Sequence, residues 1–131
     1  MATVDVTEQN FNEIAEKGIV LLDFWADWCA PCQAFEPIFA QASERHTDIT
    51  FGRIDTDAQP VLTAAFQVSA VPTLMAIRDG IQVFAQPGAL PAPVLEELIE
   101  RVRALDMDEI RAQLAQQSEA GQQDLWPGTP R

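Results

Sequence analysis

The sequence predicts an α/β fold in which a central mixed β-sheet is flanked by helices. Three observations predict it. The run Val20-Leu21-Leu22-Asp23-Phe24-Trp25 is apolar almost throughout rather than alternating, as a strand covered on both faces must be. Segments with helical spacing of apolar residues alternate along the chain with short β-rich runs, the order that places helices on a sheet. Asp79-Gly80, set between two short apolar runs, is a tight hairpin signal that makes the last two strands antiparallel, so the sheet is mixed.

Residues 3–6 read as a short edge strand. Thr7 is a candidate N-cap, and Phe11, Ile14 and Ala15 mark one face of a first helix. Gly18 ends it, after Lys17, whose cation suits a helix C-terminus. The central strand covers 19–25, and a second helix is predicted from Ala30 to about His46. Pro31 fits the first turn of that helix, where a missing N–H has no partner to lose. Pro37 falls inside it and predicts a kink, while Phe35, Ile38, Phe39 and Ala42 supply its buried stripe. A strand over 49–54 leaves the sheet through Asp55-Thr56-Asp57, and a short helix covers 60–66. Val71-Pro72-Thr73 opens the strand 74–77, and Ile81, Val83 and Ala85 return beside it after the hairpin. Val94, Leu95, Leu98, Ile99 and Val102 mark a helix that covers the sheet. Asp106-x-x-Glu109 reads as a capping box for a further helix, with Met107, Ile110 and Leu114 on one face.

The expected organisation is one domain over 1–105, an additional amphipathic helix over 106–118 and a disordered tail over 119–131. The additional helix, its core 107–118, packs on its own domain or contacts a partner or a second copy. A chain of 131 residues with 47% hydrophobic content fits one soluble domain. No opening segment joins a basic start to an apolar run, so no signal peptide is read and a cytoplasmic location is the default expectation. The apolar stretches are too short to span a membrane. A net charge of -12 excludes a basic nucleic-acid or anionic-membrane surface, and otherwise serves solubility without naming a partner.

Chemistry concentrates at Cys29 and Cys32, the chain's two cysteines, two residues apart where the strand hands over to the helix. Free N–H groups and the helix dipole favour negative charge there, so a thiolate has a depressed pKa and can attack a disulfide. Cys29 reads as the exposed nucleophile, and Cys32, one turn in, is spaced to resolve the mixed disulfide. No metal site is expected, because tetrahedral zinc wants four ligands and the chain offers one pair of cysteines and one histidine. That histidine, His46, reads as a helix-end residue favouring the dipole or meeting solvent, neither ligand nor base. Asp23 interrupts the apolar strand six residues before Cys29. Burial there raises a carboxyl pKa toward what a proton acceptor for a thiol needs; satisfying backbone donors is the structural alternative. Asp27 reads as a solvated charge. No dinucleotide-binding glycine fingerprint is present, and no cofactor is expected.

The segment Phe24-Trp25-Ala26-Asp27-Trp28-Cys29-Ala30-Pro31-Cys32 resembles the active-site segment of the thioredoxin family. The likeness continues through Asp55-Thr56-Asp57, Ala70-Val71-Pro72-Thr73, Gly80 and Gly88, over roughly residues 3–104. It implies a thioredoxin-like fold, with the further helix lying beyond the family's minimal domain. It also implies a protein-disulfide reductase of the cell's redox homeostasis, acting on disulfides of client proteins. An NADPH-dependent flavoprotein thioredoxin reductase would recharge it. By the same resemblance Asp23 serves as general base toward Cys32, and a cis Val71–Pro72 bond faces the dithiol. The backbone of Val71 then pairs with an extended substrate. Trp28 and Trp25 form an apolar collar that shields the thiols, with Trp28 contacting clients and Trp25 mainly core. Gly88 lets the substrate backbone approach or serves only a turn.

Departures from the family pattern tune the pair. General reductases usually carry Gly-Pro between the cysteines; here Pro31 matches and Ala30 does not, which predicts retained activity with a modest change in potential. Gln33 and Arg53 stand where such reductases often have lysines, and Arg53 restores positive charge near the acid. Strongly oxidising relatives tend to have a histidine between the cysteines, so reduction is favoured over oxidation. Two rivals stay open: a holdase or binding module in which the dithiol is secondary, and a client-specific disulfide oxidase of an exported compartment.

Overall fold

A computed structural model describes residues 2–121 of the chain. In order it contains β1 (Thr3–Asp5), α1 (Phe11–Ala15), β2 (Ile19–Trp25), α2 (Ala30–Arg45), β3 (Thr50–Asp55) and α3 (Pro60–Ala65). There follow β4 (Thr73–Arg78), β5 (Ile81–Pro87), α4 (Ala92–Ala104) and α5 (Met107–Gly121). The strands form one mixed sheet in the order β1-β3-β2-β4-β5. β3 runs parallel to both β1 and β2, whereas β4 is antiparallel to β2 and to β5. The predicted fold class is therefore the observed one, and the apolar run is the central strand.

Alternation along β2 divides the core into two layers. Leu21 points with Phe51 and Leu74 toward Phe35 and Phe39 of α2 and Leu95 and Ile99 of α4. Val20, Leu22 and Phe24 point the other way, toward Ile14 of α1, Leu62 of α3 and Phe66. Asp23 shares the parity of Leu21, which places its carboxyl on the α2 face of the sheet. α2 carries the expected stripe of Phe35, Phe39 and Ala42 and runs on through Pro37.

The hairpin is a tight turn with Asp79 at φ +54° and Gly80 at φ +79°, the conformation that twists with the flanking strands. The first helix starts later than Thr7: its N-cap is Asn10. Thr7 and Asn10 instead close a turn on each other, Thr7 N–H donating to Asn10 Oδ1 at 2.7 Å and Asn10 N–H to Thr7 Oγ1 at 3.3 Å. The Asp106 half of the expected capping box forms, its Oδ1 accepting the Glu109 N–H at 3.1 Å, while Glu109 Oε1 accepts from Gln113 Nε2 at 3.4 Å. α5 is buried at Met107 and half-buried at Ile110 and Leu114, and its Arg111 pairs with Asp79 of the hairpin at 3.6 Å. It continues to Gly121, past the expected end at 118, because Glu119 and Ala120 are ordinary helix formers. The rest of the expected tail, with Trp126, lies outside the described residues. No helix among the described residues is long and apolar enough to cross a membrane.

One glycine marks a close approach of layers. A Cβ built on Gly52 in β3 would lie 2.5 Å from Val6 Cγ2 and 3.1 Å from Leu22 Cδ2, both buried. Gly52→Ala is expected to destabilise the fold by about 1–3 kcal/mol through overpacking, read as a lower urea midpoint with an unchanged slope. A midpoint equal to that of the parent protein would show that Val6 can move aside freely.

Candidate active site

Cys29 is the N-cap of α2, with φ -100° and ψ 107°, and Cys32 lies one turn in. The two are joined in a disulfide, and Cys29 Sγ accepts the Cys32 N–H at 3.2 Å. Pro31, in the first turn, has no N–H to give, so the Cys32 amide fills that capping role. Both cysteines are covered in this state: Cys29 keeps 4% of its surface and Cys32 1%. The expected exposure of Cys29 is thus a small edge over Cys32 rather than an open thiol. The pair packs with Ala26, Trp25 and Val71.

Val71 packs against the pair, and the Val71–Pro72 bond is cis, as the resemblance implied. The loop holding Pro72 is tied down on both sides. Gly88 N–H donates to Pro72 O at 2.8 Å and Thr73 Oγ1 to Ala70 O at 2.7 Å. Gly88 has φ +107°, and a Cβ there would meet nothing within 4 Å, so its backbone conformation is what requires glycine. Trp28 is 72% exposed and its Nε1 donates to Asp57 Oδ2 at 3.1 Å. A cavity of about 250 Å³ runs beside it, lined by Thr56, Asp57, Val68, Ala70 and Val71.

Within β2, Asp23 is fully buried and neither carboxylate oxygen accepts a hydrogen bond from a described residue. The alternative in which it satisfies backbone donors therefore lacks its contacts. β2 and β3 pair Asp23 with Arg53 in register, so both side chains rise from the same face of the sheet. Arg53 Nε stops 3.6 Å from Asp23 Oδ2, short of hydrogen bonding. Its guanidinium lies over the Trp25 ring, 4.4 Å from the centroid, and its Nη1 is 3.3 Å from Glu36 Oε2. Burial pushes the Asp23 carboxyl up to about 6; the Arg53 charge pulls it back part of the way and Glu36 adds to the rise. Cys32, Gln33, Glu36, Arg53, Trp25 and Asp27 surround a cavity of about 210 Å³. Asp27 is exposed, and its carbonyl accepts a hydrogen bond from Gln33 Nε2 at 2.9 Å.

Glu36 and the tie from Asp57 to Trp28 had no assigned role in the sequence. Glu36 follows Cys32 by four residues, the spacing that puts both on one helix face, and that was the available signal. His46 lies at the far end of α2, about 24 Å along a helix of this length. Instead of meeting solvent it is clamped between α2 and α4. Arg103 Nη2 lies 2.9 Å from its Nδ1, so that nitrogen accepts and Nε2 donates to Glu96 Oε1 at 2.7 Å. Among the described residues, no group of three or more His, Cys, Asp or Glu is placed to hold a metal ion.

Comparison with known proteins agrees with this geometry. Residues 2–101 match the Thioredoxin family. A Streptomyces coelicolor protein assigned by name as a second thioredoxin is 49% identical over 122 residues, spanning 92% of this chain and 91% of that one. A match that long takes in α5 as well. A Mycobacterium tuberculosis thioredoxin is 38% identical over 109 residues, 80% of this chain and 94% of that one. Among solved structures, a single-site mutant of a thioredoxin from Halobacterium salinarum superposes with a TM-score of 0.73 at 34% identity, covering 79% of this chain and 92% of that one. The chain belongs to the thioredoxin family, and Cys29–Cys32 is the redox-active pair of a thiol–disulfide oxidoreductase.

Proposed function

We propose that this protein is a cytoplasmic reductase of disulfides in client proteins, recharged by an NADPH-dependent flavoprotein thioredoxin reductase. The observation that carries the reading is the Cys29–Cys32 disulfide at the head of α2, facing the cis Val71–Pro72 loop beside an exposed Trp28. In the reduced protein, Cys29 thiolate attacks one client sulfur; the client S–S bond breaks and a mixed disulfide forms. Cys32, its proton taken by Asp23, then attacks Cys29 Sγ and expels the client's first thiolate. Two electrons pass to the client, which leaves as a dithiol, and the disulfide seen here is the product. Trp28, Val71, Pro72 and Gly88 form the client-binding rim, main-chain pairing at Val71 tolerating many sequences. Trp25, Ala30, Pro31 and Arg53 tune the pair. Residues 1–105 act as the exchange domain, with α5 appended to it.

Equilibration with glutathione buffers tests the direction of transfer. A potential near the thioredoxin value of about -270 mV is expected, with Ala30 a tolerated replacement for glycine. A value near roughly -120 mV would turn the reading into disulfide insertion. Full client protection by a protein carrying serine at both cysteine positions would turn it into a holdase.

A further inference from the structure

We infer that Glu36 is a positioning residue: its carboxylate holds the Arg53 guanidinium at the rim of the Cys32 cavity, short of hydrogen bonding with Asp23. Asp23, in ion-pair range of Arg53 but accepting no hydrogen bond from a described residue, is thereby left free to take the Cys32 proton. The inference rests on the proposed role of Asp23 as base.

The distances carry it. An arginine beside a buried carboxylate ordinarily closes to about 2.7–2.9 Å, often through two parallel bonds. Here the Nε–Oδ2 separation is 3.6 Å although Asp23 and Arg53 are register partners and no described residue donates a hydrogen bond to Asp23. The guanidinium is held from two sides instead, by Glu36 at 3.3 Å and by the Trp25 ring at 4.4 Å. Glu36 comes from α2, one turn beyond Cys32, and both line the same cavity. The same helix that carries the resolving thiol therefore carries the group that draws the cation outward.

The other charged groups near this pair do not replace Glu36. Asp27 reaches the rim of the Cys32 cavity but is exposed. Asp5 and Asp55 line a second cavity that Arg53 also borders, not the Cys32 cavity, and the Asp55 carboxylate accepts the N–H groups of Asp57 and Ala58. From β4, the residue opposite Asp23 is Leu74, which has no charge. Glu36 raises the Asp23 pKa directly by its charge, and by keeping Arg53 back it raises it again. Both effects have one sign.

The test is a ¹³C-carboxyl NMR titration of Asp23 in the oxidised full-length protein, where no thiol titrates, paired with the pH profile of client release from the mixed disulfide. Glu36→Ala is expected to let Arg53 close on Asp23. The Asp23 midpoint then falls by about half a pH unit to one unit, and the acid limb of the release profile moves down with it. In an Arg53→Gln background the same substitution is expected to shift the midpoint by less than half as much. Arg53→Met, which keeps the stem over Trp25, takes its place if Arg53→Gln does not fold. An unmoved midpoint in Glu36→Ala overturns the inference; so does a full-sized shift without Arg53, which would make Glu36 a distant charge and no more. Asp23→Asn separates the two readings. If it leaves the release profile unchanged, Asp23 is not the base, while the NMR midpoints still decide whether Glu36 positions Arg53.

Discussion

Replacing Cys29 with serine is expected to reduce disulfide exchange to the uncatalysed background, a loss of at least about 10³-fold, because a hydroxyl at this position does not ionise at neutral pH. The fold should survive the change. Cys29 is the N-cap of α2, and serine is among the preferred N-cap residues, so the Cys32 N–H keeps an acceptor. Cys32→Ser has a different expected outcome. The first transfer still proceeds at Cys29, but nothing resolves it, and a mixed disulfide with a small aromatic disulfide or a client accumulates. Mass spectrometry of the two variants decides the assignment. An adduct on Cys29 in Cys32→Ser and none in Cys29→Ser supports the order of attack. An adduct formed at Cys32 in Cys29→Ser, at the rate of the parent protein, would reverse it. The structure favours Cys29 on two grounds. It receives the N-terminal amide of α2, which stabilises a thiolate, and it keeps the larger surface of the pair, 4% against 1%.

The parts of this site that were legible in the sequence are those set by local chemistry. The apolar run had to be a central strand, Asp79-Gly80 had to turn, and Cys29 and Cys32 had to straddle the helix start; all three follow from neighbours in the chain. Asp23 was legible as a buried acid because a strand covered on both faces leaves a carboxyl no route to water. Thr7 was misplaced as a helix cap because Thr and Asn compete for the same backbone donors, and the turn closed by Asn10 won. Glu36 and Asp57 escaped because their partners are far away in sequence: Arg53 lies 17 positions from Glu36, and Trp28 lies 29 from Asp57. Only the β2–β3 register and the placement of α2 on the sheet bring those groups together. The clamp on His46 depended in the same way on α4 crossing the end of α2.

Asp23→Ala is expected to stabilise the protein near neutral pH by about 1–3 kcal/mol while slowing the step carried out by Cys32. The sign follows from the direction of the pKa change. Burial raises the Asp23 carboxyl from 3.8 to about 6, so between those values the folded protein holds a proton that the unfolded chain has released. Stability contributed by this group is full below pH 3.8, falls as pH rises to about 6, and stays lower by about 3 kcal/mol above that. Removing the carboxyl removes that loss, less what the small cavity and the partly unpaired Arg53 take back. Asp48 and Glu96 act in the opposite sense, since the hydrogen bonds from Arg103 and Arg45 hold them below their ordinary values and their contribution fades as pH falls. They are common to both proteins, so urea melts from pH 4 to 8 give a difference curve that isolates Asp23. A difference that grows between about pH 4 and 6 and then levels is the expected shape; a flat one would mean that Asp23 is not held uncharged by burial. A carboxyl that accepts no hydrogen bond and opposes folding at neutral pH is no structural tie. In the function proposed above it takes the Cys32 proton, and a variant that gains stability while losing the second exchange step would separate those two roles in one residue.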